Sequence, residues 1–479
     1  MGIIIQKSKL SNVAKSPYFF TNFFFHKTLN EIEPTLKKFN GKISDCCTIL
    51  SGYAFASEDY EEVGTKLLRI GDILKNGTID YENMNCLPLE FAEKYGRFVL
   101  QYNDIVIAMT GATIGKTGFI EKNGTDILLN QRVGLLRCKE NINQKFIYYL
   151  TKTSFFQKQI LINSMGKSQP NISPFDIIKF KTPKISVEKQ NEIVEKVYPI
   201  EQSIQTLQSK ILQPLSIIND TFSNYYNYEK TVWKDFGKGM TAGTQKSNER
   251  TLKYYKVPIQ SLGKSNIQRF SSRFHSPLTM QLESILEKNG AITIKDILIE
   301  IVKGIQPKYT DEGDIPVTKI TNLKNGYIDL SEPEYVSQAF FDALPEKVKL
   351  KYGDVIICCT GKISLGKVDF YDLEQESVLT VDNYILRVDE TKYNALFLTY
   401  FLRSILGTFQ IEREYTGATN QIHLYANEIL NFKIPNFSVA TQNEIVAQIK
   451  QQLDAQKDIE QAIEGKQAEI SQLIMEAIQ

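Results

Sequence analysis

Apolar residues three and four apart define two stretches of the chain. Ile193, Val197, Ile200, Ile204, Leu207, Ile211, Leu215, Ile218 and Phe222 fall on one face of a helix, the spacing an amphipathic helix requires. Ile445, Ile449, Leu453, Ile459, Ile463, Ile470 and Ile474 make a second stripe, with Glu, Gln and Lys on the other faces and a period of about seven residues. Pro199 and Pro214 lie inside the first stretch. They are expected to kink or divide it, because proline removes a backbone donor and clashes with the preceding turn. Either each helix caps its own domain, or the two stripes face each other with Ile193, Ile204, Ile211, Ile445, Ile449 and Ile463 in the seam. The length of the stripes favours the pair, since one domain covers neither of them end to end. Shorter patterns lie between. Residues 105–109 and 355–359 are β-branched runs ending in Thr-Gly turns, Asn76-Gly77 and Asn325-Gly326 are turn signals, and 146–160 and 396–409 read as short helices. The predicted fold class is α+β with many loops.

These patterns occur twice. LKNGTID (74–80) returns as LKNGYID (323–329), YNDIVIAMTG (102–111) as YGDVIICCTG (352–361), and FKTPKISVEKQNEIV (180–194) as FKIPNFSVATQNEIV (432–446). Three blocks in the same order, about 250 residues apart, exceed the period of any solenoid, so each copy is a whole domain with a helix attached. The expected division is a globular domain over 1–184, a helical spacer over 185–232, a basic linker over 233–269, a second globular domain over 270–436, and a C-terminal helical spacer over 437–479.

Composition places 479 residues, 42% apolar and 23% charged, among globular chains long enough for more than one core. A net charge of +1 argues at first against nucleic acid. Its distribution changes that: residues 234–273 hold nine basic and two acidic side chains, a local +7, which leaves the rest near −6. Residues 437–479 hold three Lys against seven Asp or Glu, a balance suited to facing protein rather than phosphate. The six cysteines show no CxxC spacing, and the first residues, MGIIIQKSKLSNVAK, break their apolar start with Gln6, Lys7 and Lys9. Reduced thiols, no membrane segment and a cytoplasmic location are expected.

Candidate chemistry is sparse. TGATIGKT ends in Gly-Lys-Thr like a phosphate-cradling loop, but three residues separate Gly111 from Gly115 where four are needed, and in the second copy Val368 replaces the hydroxyl residue. Placing Thr110, Lys116, Thr360 and Lys367 beside a nucleic-acid backbone suits these loops better, since glycine permits close approach and lysine supplies charge. His26, His275 and His423 are isolated, so no metal site and no catalytic residue is expected. SPYF (16–19) departs from a methyltransferase tetrapeptide. Base edges call for Asn, Gln, Arg and Lys on loops. MGKSQPNIS (165–173) offers Lys167, Ser168, Gln169 and Asn171, and its match TGATNQIHL (416–424) offers Thr419, Asn420 and Gln421. ILLNQRVGLLR (127–137) offers Asn130, Gln131 and Arg132 against VLTVDNYILRV (378–388); Lys303, Lys308, Lys319 and Lys362 complete the DNA-binding candidates. A helical adaptor that binds only protein and a stand-alone nucleotide-dependent enzyme remain as alternative readings.

In combination these features resemble Type I restriction–modification specificity subunits over nearly the whole chain. The resemblance is carried by the duplicated strand with its Thr-Gly turn, the loop that follows it, the entries to the long helices at 183–193 and 435–445, and FSSRFHSP (270–277). It implies two target-recognition domains, each reading half of an asymmetric bipartite site in double-stranded DNA, with antiparallel helices as a ruler between them. It further implies two methyltransferase subunits docked on the chain and separate restriction or translocase subunits. S-adenosylmethionine would then belong to the methyltransferase, ATP and Mg to the restriction subunit, and no cofactor to this chain.

Overall fold

The computed structural model describes residues 23–61, 63–74, 76–121, 126–164, 170–228, 243–247, 250–254, 256–257, 259, 274–311, 313–418 and 421–478. Lys167, Ser168, Gln169, Thr419 and Asn420 lie outside the described residues, as does SPYF.

Each copy is built on a buried strand that follows a tight turn. Ile105, Val106, Ile107 and Ala108, and likewise Val355, Ile356, Ile357 and Cys358, are 0% exposed. That is why these runs are continuously apolar rather than alternating. In the first copy Ile105–Ala108 lies between Val133–Cys138 and Thr117–Phe119, with Cys47–Ser51 outside Val133–Cys138, all antiparallel. The second copy repeats this as Leu298–Lys303, Asn383–Val388, Val355–Cys358 and Val368–Phe370. Beside each sheet is another with a parallel pair, Thr65–Leu68 with Ile127–Leu129, and Ile315–Thr318 with Ser377–Leu379. Ile73, Val106, Leu129 and Leu135 share one apolar cluster, and Leu323, Ile356, Leu379 and Ile385 share its counterpart.

The start of the buried strand is fixed by charge. Asp104 accepts from Arg137 Nε at 2.9 Å and Nη2 at 2.6 Å, and Asp354 accepts from Arg387 Nε and Nη2, both at 2.8 Å. Such a bidentate pair is geometrically specific. The residue before each aspartate, Asn103 or Gly353, has a positive φ, 68° and 94° respectively, which these two residue types tolerate best.

Two helices follow the sheets in each copy, Gln144–Lys152 with Ser154–Ser164, and Ala395–Arg403 with Ile405–Glu414. Sequence periodicity had merged each pair into one. Asn143 and Asn394 cap the first helix of each pair through their side chains. These asparagines also explain the repeated Gln-Asn pair. The Asn143 amide N–H donates to Gln190 Oε1 at 2.8 Å and its Nδ2 to Asn191 Oδ1 at 2.7 Å; Asn394 meets Gln442 and Asn443 at 2.7 and 2.8 Å. The Gln-Asn pair therefore clamps a long helix to its globular part.

Pro199 stays inside the helix Val187–Gln208, whereas Pro214 opens a new helix, Pro214–Tyr226, at its first turn. The stretch is therefore divided before Pro214, while the helix runs on through Pro199. The C-terminal stripe is one helix, Val439–Ala477. The chain packs into two compact units, 1–210 with 459–479, and 211–458, so the helical spacer 185–232 is shared between them. In the second unit Tyr226 packs on Phe437 with ring centroids 5.7 Å apart, and the Leu212 amide donates to Gln456 at 2.8 Å. The segments 212–226 and 437–456 therefore run antiparallel. Of the seam residues, Ile445 and Ile449 belong to the core of the second unit with Ile218 and Phe222. Ile193, Ile204 and Ile463 are buried, and Ile211, in the break, is half-buried.

Four expectations from the sequence are corrected. The segments 127–137 and 378–388 are not loops: each is two strands joined by a three-residue turn, 130–132 and 380–382. Their register also shifts by one, because Arg137 and Arg387 occupy the same place. The turn closed by Ile73 and Ile79 holds one residue more than that closed by Leu323 and Ile328. Ile73 pairs with Ile79 as Leu323 pairs with Ile328, and the extra residue, Leu74, is exposed. Within the basic segment, Gly243–Ser247 and Arg250–Tyr254 form an antiparallel hairpin, so its described part is not a plain linker. Among the described residues no helix is long and apolar enough to cross a membrane.

Candidate nucleic-acid interface

The buried strand ends where three other segments arrive, and the hydrogen bonds that gather them are the same in both copies. Met109 N–H donates to the Arg132 carbonyl at 3.0 Å, and Cys359 N–H to that of Asp382 at 2.8 Å. Gly111 donates to Pro170 and Ile172 to Met109, as Gly361 donates to Ile422 and Leu424 to Cys359. Thr110 faces Asn171, and Thr360 faces His423. A third segment comes from Gly52 and Gly304, whose amides donate to Val133 and Asn383 at 3.2 and 3.0 Å. A Cβ at Gly52 would stand 2.1 Å from the Leu129 carbonyl oxygen, and one at Gly304 2.2 Å from that of Thr380. Only glycine fits there. The pairing of these two glycines was hidden because their flanks, SGYAF and KGIQP, share nothing else.

On this common scaffold the side chains differ. The first turn presents Asn130, half-buried, and Gln131 and Arg132, both exposed. The second has Thr380, buried and accepting from Asn383 Nδ2 at 3.1 Å, and Val381 and Asp382, both half-buried, with the Thr360 hydroxyl donating to Asp382 Oδ1 at 2.9 Å. Asn171 and His423 are both exposed. His423 lies near Tyr425, ring centroids 6.2 Å apart and 27° between planes. Sequence alone did not place His423 at this edge, because an isolated histidine carries no spacing signal. In the first copy Tyr53 stands at the turn with its ring 4.6 Å from Tyr95. In the second, Gln306, Tyr309, Lys319, Thr380 and Asp382 line a cavity of about 300 Å³.

The candidate lysines divide into two groups. Lys303, Lys308 and Lys362 are exposed. Lys319 is held 2.6 Å from Glu334, over the Tyr309 ring. Lys116 Nζ donates to the Ile73 carbonyl, and Lys367 Nζ to that of Leu323 at 3.3 Å. These two, from the loops that resembled a phosphate cradle, tie the loop to the neighbouring turn at equivalent places. Gln421 lies in the strand Gln421–His423.

Burial governs the thiols. Cys47 and Cys138 face each other across adjacent strands as free thiols, hydrogen-bonded with their Sγ atoms 3.4 Å apart. Desolvation pushes Cys358 up to about 11 and Cys359 up to about 12, which leaves both as inert core thiols at neutral pH.

Residues 36–217 match the Type I restriction modification DNA specificity domain. The chain is 31% identical over 168 residues to the Type I restriction enzyme MjaVIII specificity subunit of Methanocaldococcus jannaschii, a match covering 34% of this chain and 39% of that protein. It is 28% identical over 174 residues to the EcoAI specificity subunit of Escherichia coli, covering 35% and 28%. The chain thus spans well under half of these relatives. Among solved structures, the S subunit of a Type-I restriction-modification system from M. genitalium aligns over 90% of this chain and 95% of its own, with 16% identity and a TM-score of 0.38.

Proposed function

We propose, from the premise that the first copy is a Type I restriction modification DNA specificity domain, that the whole chain is the sequence-reading subunit of such a system. The single observation that carries this is the shared scaffold with unlike side chains. The same backbone hydrogen bonds hold a turn, a strand end and a returning segment together in both copies, while Asn130, Gln131 and Arg132 in one give way to Thr380, Val381 and Asp382 in the other. Variation at these turns changes the chemistry of the edge while the hydrogen-bonded frame beneath it stays the same. Amides and guanidinium suit adenine and guanine, and a carboxylate suits the cytosine amino group, so the two copies would read different half-sites. Exposed Lys303, Lys308 and Lys362 would contact phosphate and set orientation.

In this reading the long helices dock two methyltransferase subunits and set the distance between the half-sites. Methyl transfer with S-adenosylmethionine, and ATP- and Mg-dependent translocation and cleavage, belong to partner subunits; this chain contributes the address and no catalytic group. The test is DNA binding by the chain assembled with its methyltransferase partner. Arg132→Glu and Lys303→Glu are each expected to weaken binding by about tenfold or more at moderate salt, and Lys303→Glu to reduce the salt slope by about one. Unchanged affinity and slope for both would contradict the reading.

A further inference from the structure

A second cavity lies in the first unit, away from the turn 130–132. It measures about 670 Å³, within the range of small-molecule sites. Ile79, Ile114, Phe119 and Ile204 give it apolar walls, and Lys145, Tyr148, Lys152 and Glu201 make part of the rest polar.

The second copy shows that the fold does not need that polarity. At the equivalent positions it carries Leu396 for Lys145, Thr399 for Tyr148, Arg403 for Lys152 and Leu453 for Glu201. Leu396 and Leu453 pack against the apolar core there. In the first copy their places are taken by an ion pair of 3.7 Å between Lys145 and Glu201, with the Tyr149 hydroxyl donating to Glu201.

Lys152 is the group left over. In the second copy the buried Asp369 interacts electrostatically with Arg403. The residue equivalent to Asp369 in the first copy is Gly118, which offers no carboxylate. Among the described residues Lys152 has no carboxylate within ion-pair distance. Its Nζ donates to the Asn76 carbonyl at 3.2 Å and lies 4.2 Å from the centre of the Tyr148 ring. Lys152 is exposed and lines the cavity, so an anion entering the cavity can reach its ammonium. Three lysines and two glutamates, Lys116, Lys145, Lys152, Glu121 and Glu201, give the lining a net +1.

We infer that this cavity binds a small amphipathic organic anion, its carboxylate or phosphate head on Lys152 and its flat apolar body against Tyr148 and Phe119. The site is separate from the DNA-reading edge and stands whether or not that reading holds.

The test uses the purified full chain with benzoate and phenyl phosphate as probes, followed by ligand-observed NMR and calorimetry. At least one probe is expected to bind with a Kd below about 1 mM, and the preferred one identifies the head group. Lys152→Gln should weaken it at least about tenfold with the circular dichroism spectrum unchanged. The double variant Lys145→Leu, Glu201→Leu, which installs the leucines of the second copy, should fold and lose binding as well. Binding of neither probe at about 10 mM, or equal binding by wild type and Lys152→Gln, would overturn the inference. Displacement of the probe by duplex DNA would also overturn it, by making the cavity part of the DNA face.

Discussion

Asp104 is only 2% exposed, and its charge is tolerable because Arg137 meets both of its oxygens while the Gln101 amide donates to one of them at 2.6 Å. Removing one partner of a buried pair costs about 3 to 5 kcal/mol. Arg137 is 34% exposed on its side chain, so water replaces part of what is lost. Arg137→Ala is therefore expected to cost about 2 to 3 kcal/mol. Amide hydrogen exchange at Ile105–Ala108 reads this locally, as a fall in protection of about 30- to 100-fold; a fall under about twofold would mean the pair does not hold the strand. At this scale the sequence was least legible. Asp104 and Arg137 lie far apart in the chain, and nothing in either local pattern links them. Lys116 and Lys367 were visible but their partners were not, because a carbonyl acceptor leaves no trace in side-chain spacing. His423 gained its place opposite Thr360 only through the pairing of two segments remote in sequence.

Between residue and molecule, the junction of each long helix with its globular part rests on one buried amide. Gln442 is 0% exposed, accepts the Asn394 N–H at 2.7 Å and donates to the Phe437 carbonyl at 2.8 Å. Gln442→Leu keeps the volume and strands both groups. At about 1 to 3 kcal/mol for each unsatisfied group, a loss of about 3 kcal/mol is expected, seen as a lower thermal midpoint and faster exchange in the first turns of Val439–Ala477. Gln442→Glu keeps the acceptor and should lose less; equal losses would mean that packing, not the hydrogen bonds, makes the junction. The helices themselves were plain in the sequence, since stripes of isoleucine over several turns admit few other readings. The turn segments were not. A short apolar run with amides beside it fits a loop or a strand end equally well, and strand pairing settled it by placing Asn130, Gln131 and Arg132 in a three-residue turn. Ile445 and Ile449 share the core of the second unit with Ile218 and Phe222 of the first stripe and with that unit's globular part, so there the two readings of the stripes, capping a domain and facing each other, coincide.

For the molecule as a whole, the repeat was the most legible feature, because three blocks in fixed order survive wherever a core must be kept. The division into units was less so. Packing assigns 459–479 to the first unit and 211–458 to the second, and the break before Pro214 could be placed from sequence only as a kink or a division. The central claim is that each copy reads one half of a DNA site independently of the other. The most direct measurement replaces the turn and returning segment of the first copy, 130–132 and 165–172, with those of a related chain of different specificity. The variant is expressed with its methyltransferase partner, and the methylated sequences of the host DNA are read. One half of the methylated site is expected to change while the other half and the spacing between them stay as they were. A change in both halves, or in neither with methylation intact, would contradict the account.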